Sequence, residues 1–129
     1  MDEISVKTGS RIEMLDITSQ VRSALSKSGT QEGVCTVYCP HTTAAITINE
    51  NADPDVTADI MQKLNRMIPL HENYRHLEGN SDAHIKSSLV GNSAQIIISN
   101  GTLQLGTWQG IYFCEFDGPR RRSVWVSII

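Results

Sequence analysis

The chain has 129 residues, 40% of them hydrophobic, with 11 Lys and Arg against 14 Asp and Glu for a net charge of −3. That length suits a single domain over residues 1–129, and the acidic balance argues against nucleic acid as a partner. No apolar run approaches the roughly 18 residues of a membrane span, Met1-Asp2-Glu3 lacks a signal peptide's basic start, and three cysteines are too few for a disulfide framework, so a cytoplasmic protein with reduced thiols is expected.

Residues Glu3 to Lys7 alternate Ile4 and Val6 with polar neighbours and read as a strand, with Arg11 to Leu15 as its partner across Thr8-Gly9-Ser10. Ile17, Val21, Ala24 and Leu25 fall at helical spacing, with Asp16 or Thr18 to cap the start and Gly29 to end it. Val34 to Tyr38 and Ala44 to Asn49 read as strands. Asp53-Pro54 is a helix start, a side-chain cap followed by proline at the first helical position. Val56, Ile60, Leu64 and Met67 continue that helix, and Pro69 follows its end. Leu70 to Ser81 has no period and holds two of the four histidines. Asn80 or Ser81 can cap a short helix through Ile85 and Leu89, closed by Gly91. Ala94 to Ser99 is a strand, Asn100-Gly101 a hairpin turn, and Thr107 to Asp117 and Ser123 to Ile129 are the last strands around Gly118-Pro119. The order predicts an α+β domain of two layers, a largely antiparallel sheet with helices on one face.

Several constellations carry chemistry. His41 follows Pro40 where a strand must be interrupted, His76 lies in the aperiodic polar segment, and His84 sits in the first turn of the short helix. His71 has only Glu72 beside it. Asp82 and His84 are two apart, about 200° around a helix, so they diverge if both are helical. Cys39 reads as a small buried thiol. Strand parity puts Glu115 on the face of Ile111 and Phe113, where a carboxylate needs a cation, a metal or donors; a salt bridge to a neighbouring strand and a functional role fit it equally. Gly106-Thr107-Trp108-Gln109-Gly110 suggests a bulge or close backbone approach, with Trp108 able to stack on a ring and Gln109 to hydrogen-bond to it. Gly118-Pro119-Arg120-Arg121-Arg122 is the one basic cluster and suits bidentate phosphate binding.

Three segments in register extend these observations. They are Pro40-His41-Thr42-Thr43-Ala44 running into Asn49-Glu50-Asn51-Ala52-Asp53-Pro54, then Tyr74 to Asn80 with Ala83 to Ser88, then Gly106 to Ile111 with Arg120-Arg121-Arg122. Together they resemble the YjbQ family, also called secondary thiamine-phosphate synthase enzymes, over nearly the whole chain. The resemblance implies a small α+β domain that assembles as a homotrimer, with a pocket near the subunit interface lined by His41, His76 and His84. It implies thiamine phosphate synthesis, in which a pyrimidine pyrophosphate is joined to a thiazole phosphate. Against that chemistry His41, His76, His84 and Glu115 are the catalytic candidates. The three imidazoles are also candidate ligands of a divalent ion, zinc-like by ligand type, with magnesium as the alternative. Arg120 and Arg121 can neutralise the leaving pyrophosphate, and Trp108, Gln109, Asn49 and Glu50 can complete a substrate site. The expected partners are further copies of the chain and a small phosphorylated metabolite. The alternatives are a non-catalytic trimer that binds a metal or phosphometabolite, and a metal-assisted hydrolase.

Overall fold

A computed structural model describes all 129 residues. In chain order the elements are β1 (Asp2–Lys7), β2 (Glu13–Asp16), α1 (Thr18–Ser28), β3 (Gly33–Tyr38), β4 (Ala44–Glu50), α2 (Pro54–Met67), α3 (Ser81–Val90), β5 (Ser93–Ser99), β6 (Thr102–Leu103), β7 (Gln109–Glu115) and β8 (Arg121–Ile128). The helices begin and end where local chemistry dictates. The Asp53 carboxylate accepts the Asp55 N–H at 2.9 Å, and Pro54 opens α2 without forfeiting a helical bond. Asp16 accepts from the Thr18 N–H just ahead of α1, and Gly29, at φ 68°, closes that helix in the left-handed conformation. Asn100 and Gly101 both have positive φ, 52° and 69°, which a two-residue hairpin requires and which joins β5 to β6.

Every strand pair is antiparallel. The α+β expectation holds, with a refinement: the strands divide into two sheets, β1-β8-β3-β5-β6 and β2-β7-β4. One pairing differs from expectation. β1 and β2 do not form a hairpin; β1 pairs with β8 and β2 with β7. The connection through Thr8-Gly9-Ser10 carries the chain from one sheet to the other, and the Thr8 N–H bonds to the Arg120 carbonyl rather than back to β2.

The two sheets face each other across the main core. Val6, Cys35, Val37, Ile96, Ile98, Val124 and Val126 from the larger sheet meet Ala44, Ile46, Ile111 and Phe113 from the smaller, and α1 adds Ile17, Val21, Ala24 and Leu25. The outer face of the smaller sheet is also covered. Ala45, Tyr112 and Cys114 pack with Ala83 of α3 and with Met61 and Leu64 of α2. Burial on both faces explains the unbroken apolar run through β7, which replaces the usual alternation.

Candidate functional site

Three regions of the chain far apart in sequence, 40–43, 76–84 and 120–122, wall a concavity of about 440 Å³. The β3–β4 connection supplies Pro40 to Thr43, the segment ahead of α3 supplies His76, Glu78 and Asn80, α3 supplies His84, and the start of β8 supplies Arg120 and Arg122. Two further concavities adjoin it. One of about 420 Å³ shares His41, Thr42 and His84; one of about 330 Å³ shares His76 and His84. His84 therefore borders all three, and His41, His76 and His84 all line the first.

Each imidazole is positioned differently. Pro40 ends β3, and the next residue turns its ring onto β8: the Ser123 N–H donates to His41 Nε2 at 2.9 Å. The Ser123 carbonyl lies farther from the same nitrogen, at 3.2 Å. The Ser123 backbone thus engages Nε2 in either tautomer, its N–H donating to the bare nitrogen or its carbonyl accepting from the protonated one. Burial lowers the His41 pKa from its ordinary 6.5, and the nearby Arg122 charge lowers it further. His76 and His84 meet edge to face, with ring centroids 5.3 Å apart, and Glu78 lies 3.9 Å from His76 Nε2. α3, which carries His84, is fastened from its opposite side. The buried Asp82 carboxylate takes two bonds from Arg11, at 3.0 and 3.1 Å, and one from Lys86 Nζ at 2.9 Å. Lys86 also donates to Asn65 of α2. The divergence expected of Asp82 and His84 is thus observed: one faces the interior, the other the pocket.

Glu115 requires a correction. It does not line the pocket and has no free acceptor to offer a substrate. Its carboxylate is fully buried and accepts from Thr8 Oγ1 at 2.7 Å, Arg122 Nε at 2.9 Å, the Asp117 N–H at 3.1 Å and Arg122 Nη2. Burial alone would raise its pKa, but these bonds outweigh burial and hold it below the ordinary value. Glu115 belongs to the smaller sheet and Arg122 to the larger, so the pair ties the two sheets together at the pocket end. Arg122 Nη2 also donates to Thr43 Oγ1 at 2.9 Å, which leaves Nη1 as the guanidinium nitrogen without a protein partner.

The arginine turn divides by strand parity. Arg120 lines the pocket and is steered by Asp117, whose Oδ2 accepts its Nη2 at 2.8 Å. Arg121 is exposed, pairs in register with Lys7 and does not reach the pocket. Arg122 is the residue that sequence reasoning passed over. Its parity with Val124 and Val126 was the available signal, since an inward-facing cation has to meet an inward-facing acid.

Asn49, Glu50, Trp108 and Gln109 do not join the histidines. They sit where Glu50 pairs with Gln109, six residues along the β4–β7 ladder from the Ala44–Glu115 pair beside the pocket, or about 20 Å at strand rise. There Gln109 Oε1 accepts the Gly106 N–H at 2.8 Å, Glu50 accepts the Asp53 N–H, and Trp108 is 62% exposed. No three His, Cys, Asp or Glu side chains stand close enough to hold one ion. With His41 Nε2 engaged by Ser123, the three imidazoles share a pocket without forming a ligand set. Cys39 is a buried thiol whose pKa burial raises, in keeping with a packing role. No helix is long and apolar enough to cross a membrane.

The pocket can therefore offer an anion two arginines, one clamped and one half-exposed, beside imidazoles able to donate or exchange a proton. Comparison with known proteins places this arrangement in a family. A UPF0047 protein of Methanocaldococcus jannaschii is 60% identical over 124 residues, which is 96% of this chain and 90% of the relative. YugU of Bacillus subtilis is 54% identical over 127 residues, covering 98% and 96%. A crystal structure of a YjbQ/UPF0047 family protein from Clostridium acetobutylicum matches with a TM-score of 0.99 and 59% identity over the whole of both chains. A YbjQ-like protein from Sulfolobus solfataricus matches with a TM-score of 0.95 at 35% identity, covering 98% of this chain and 94% of that one. The family model described as UPF0047 protein YjbQ-like matches residues 2–129, and the chain belongs to that family.

Proposed function

We propose that the pocket binds a phosphorylated heterocyclic metabolite and catalyses displacement of its phosphate or pyrophosphate group by the ring nitrogen of a second heterocycle, the carbon–oxygen bond to the leaving group breaking as a carbon–nitrogen bond forms, the kind of transfer that the likeness to thiamine-phosphate synthases implies. The observation that carries this reading is that His41, His76, His84, Arg120 and Arg122 all line one concavity. Arg120 and the free Nη1 of Arg122 neutralise the leaving anion. His84, which borders every adjoining concavity, is placed to give the departing oxygen its proton. His41 lines the same concavity, where burial and the Arg122 charge oppose its protonation. Assembly as a homotrimer belongs to the same reading and is read by native mass spectrometry.

The test is pyrophosphate or phosphate release from a panel of phosphorylated heterocycles, each with and without a thiazole phosphate as the accepting nucleophile, with affinity measured in parallel by calorimetry; release without the acceptor reads hydrolysis. His41→Ala, His76→Ala and His84→Ala are expected to abolish turnover, with Arg122→Met losing binding. Turnover unchanged in all three histidine variants refutes catalysis at this pocket. Binding without turnover across the panel favours the non-catalytic reading instead. The edge-to-face contact of His76 and His84 supports a second reading, a zinc-like ion held by these two rings with phosphate oxygens completing its shell. A zinc-dependent thermal shift that disappears in His76→Ala and His84→Ala supports it; the absence of any shift removes it.

A further inference from the structure

One wall of the pocket holds a polar atom that nothing in the chain satisfies. Asn80 is 8% exposed and lines the same concavity as Arg120 and Arg122. Its Oδ1 is the single buried side-chain oxygen or nitrogen without a hydrogen-bond partner. The amide orientation is settled by Asp117, whose Oδ2 receives Asn80 Nδ2 at 2.8 Å. A carboxylate only accepts, so the nitrogen must face it and the oxygen must face away. Asn80 also occupies the cap position of α3 without bonding to a helical N–H. It has given up the role that asparagine ordinarily plays there, and Asp117 holds it instead.

A buried acceptor without a donor is uncommon, and each case needs a cause. The residues around it narrow the cause. Arg120 and Arg122 are cations suited to an anion, and the histidines and threonines can both donate and accept. Asn80 Oδ1 and the exposed Glu78 carboxylate are the side-chain groups of the same wall that can only accept. We infer that the ligand carries an N–H or O–H donor in addition to its phosphate, and that Asn80 Oδ1 reads that donor. This rests on the proposed phosphate pocket and narrows its ligand to an amino- or hydroxyl-bearing phosphate ester. Oδ1 is itself buried, so engaging it requires neighbouring side chains of the wall to move.

The experiment titrates wild-type protein with ω-aminoalkyl and ω-hydroxyalkyl phosphates of two to four carbons, against plain alkyl phosphates of the same lengths. At least one donor-bearing probe is expected to bind about tenfold tighter than its plain counterpart, the ratio that satisfying one buried acceptor supports. The hydroxyl series separates hydrogen bonding from attraction of an ammonium to Glu78. Asn80→Leu is expected to erase the preference, the donor-bearing and plain probes binding that variant equally. If that variant does not fold, the side-chain NH2 signals of Asn80 in the wild type supply the readout, shifting with the donor-bearing probe and not with the plain one. Plain and donor-bearing probes binding equally at every length overturns the inference and leaves the phosphate pocket standing. Failure of all probes and of inorganic phosphate to bind overturns both.

Discussion

Replacing Glu115 by Gln removes one charge and almost no volume from the tie between the two sheets. In the native chain the carboxylate balances Arg122, whose side chain is almost wholly buried. The variant leaves that guanidinium in the interior without its counter-charge, while the Thr43 bonds remain. Breaking a buried pair from one side costs about 3–5 kcal/mol, since the remaining charge stays desolvated. For 129 residues, an unfolding entropy of about 2.1 cal/mol/K per residue gives roughly 0.27 kcal/mol/K. The melting temperature of Glu115→Gln should therefore fall by about 11–18 °C in differential scanning calorimetry. The double variant Glu115→Leu/Arg122→Met, which exchanges the pair for apolar groups, should recover much of the loss. Acidification should act in the same direction as the single change. The Glu115 carboxyl is held below its ordinary value, so its contribution is complete above the unfolded pKa of 4.5 and is lost as pH falls through the lower folded value. A single variant melting within about 4 °C of the wild type, the equivalent of 1 kcal/mol, would refute the reasoning.

Three other expectations follow from the geometry. Lys86→Met should destabilise by about 3 kcal/mol, since it strips the buried Asp82 of one of its two cations; hydrogen exchange should quicken in both α2 and α3, and unchanged protection would count against the bridge. His41 should titrate below 6.5 by NMR, because burial and Arg122 both oppose its protonation. Its contribution to stability is full above the unfolded value and declines as pH falls through the folded one; titration at or above 6.5 contradicts the assignment. Gly118→Ala should cost about 1–3 kcal/mol, because a Cβ there would stand 2.3 Å from the Ser10 carbonyl oxygen and 2.8 Å from Glu115 Cγ. A urea midpoint equal to wild type would show that the Ser10 backbone yields freely.

Signals that act over one or two turns of chain were legible without the structure. Asp53-Pro54 opens α2, Gly29 closes α1 and Asn100-Gly101 turns β5 into β6, each because a local bond or dihedral decides the matter. Pairing was less legible. Thr8-Gly9-Ser10 looks like a hairpin turn, yet β1 and β2 enter different sheets, and only long-range burial selects their partners. The site divides along the same line. His41 and His76 stood out by the segments that hold them, but the choice of His41, His76 and His84 as a set rested on the family resemblance. Glu115 declared only that it needed a partner, and a salt bridge and a catalytic role fitted that need equally. Arg122 settles the choice from seven residues away, across a change of sheet. Trp108 and Gln109 sit in a glycine-rich bend that looks functional, but six rungs of the β4–β7 ladder separate them from the histidines, a distance invisible until the register is known.

Residues 68–80 contain neither helix nor strand, yet they deliver His76, Glu78 and Asn80 to the pocket. Leu77, in their midst, is almost fully exposed. The proposed site is therefore built partly from a packed sandwich and partly from a stretch that a protease can reach. Nicking the chain between Leu70 and Gly79 should silence the pocket while leaving the sandwich folded, since the main core draws no residue from that stretch. An occupied pocket should in turn slow the cut. Resistance to limited proteolysis thus becomes a gauge of occupancy that needs neither a known substrate nor a measurable turnover.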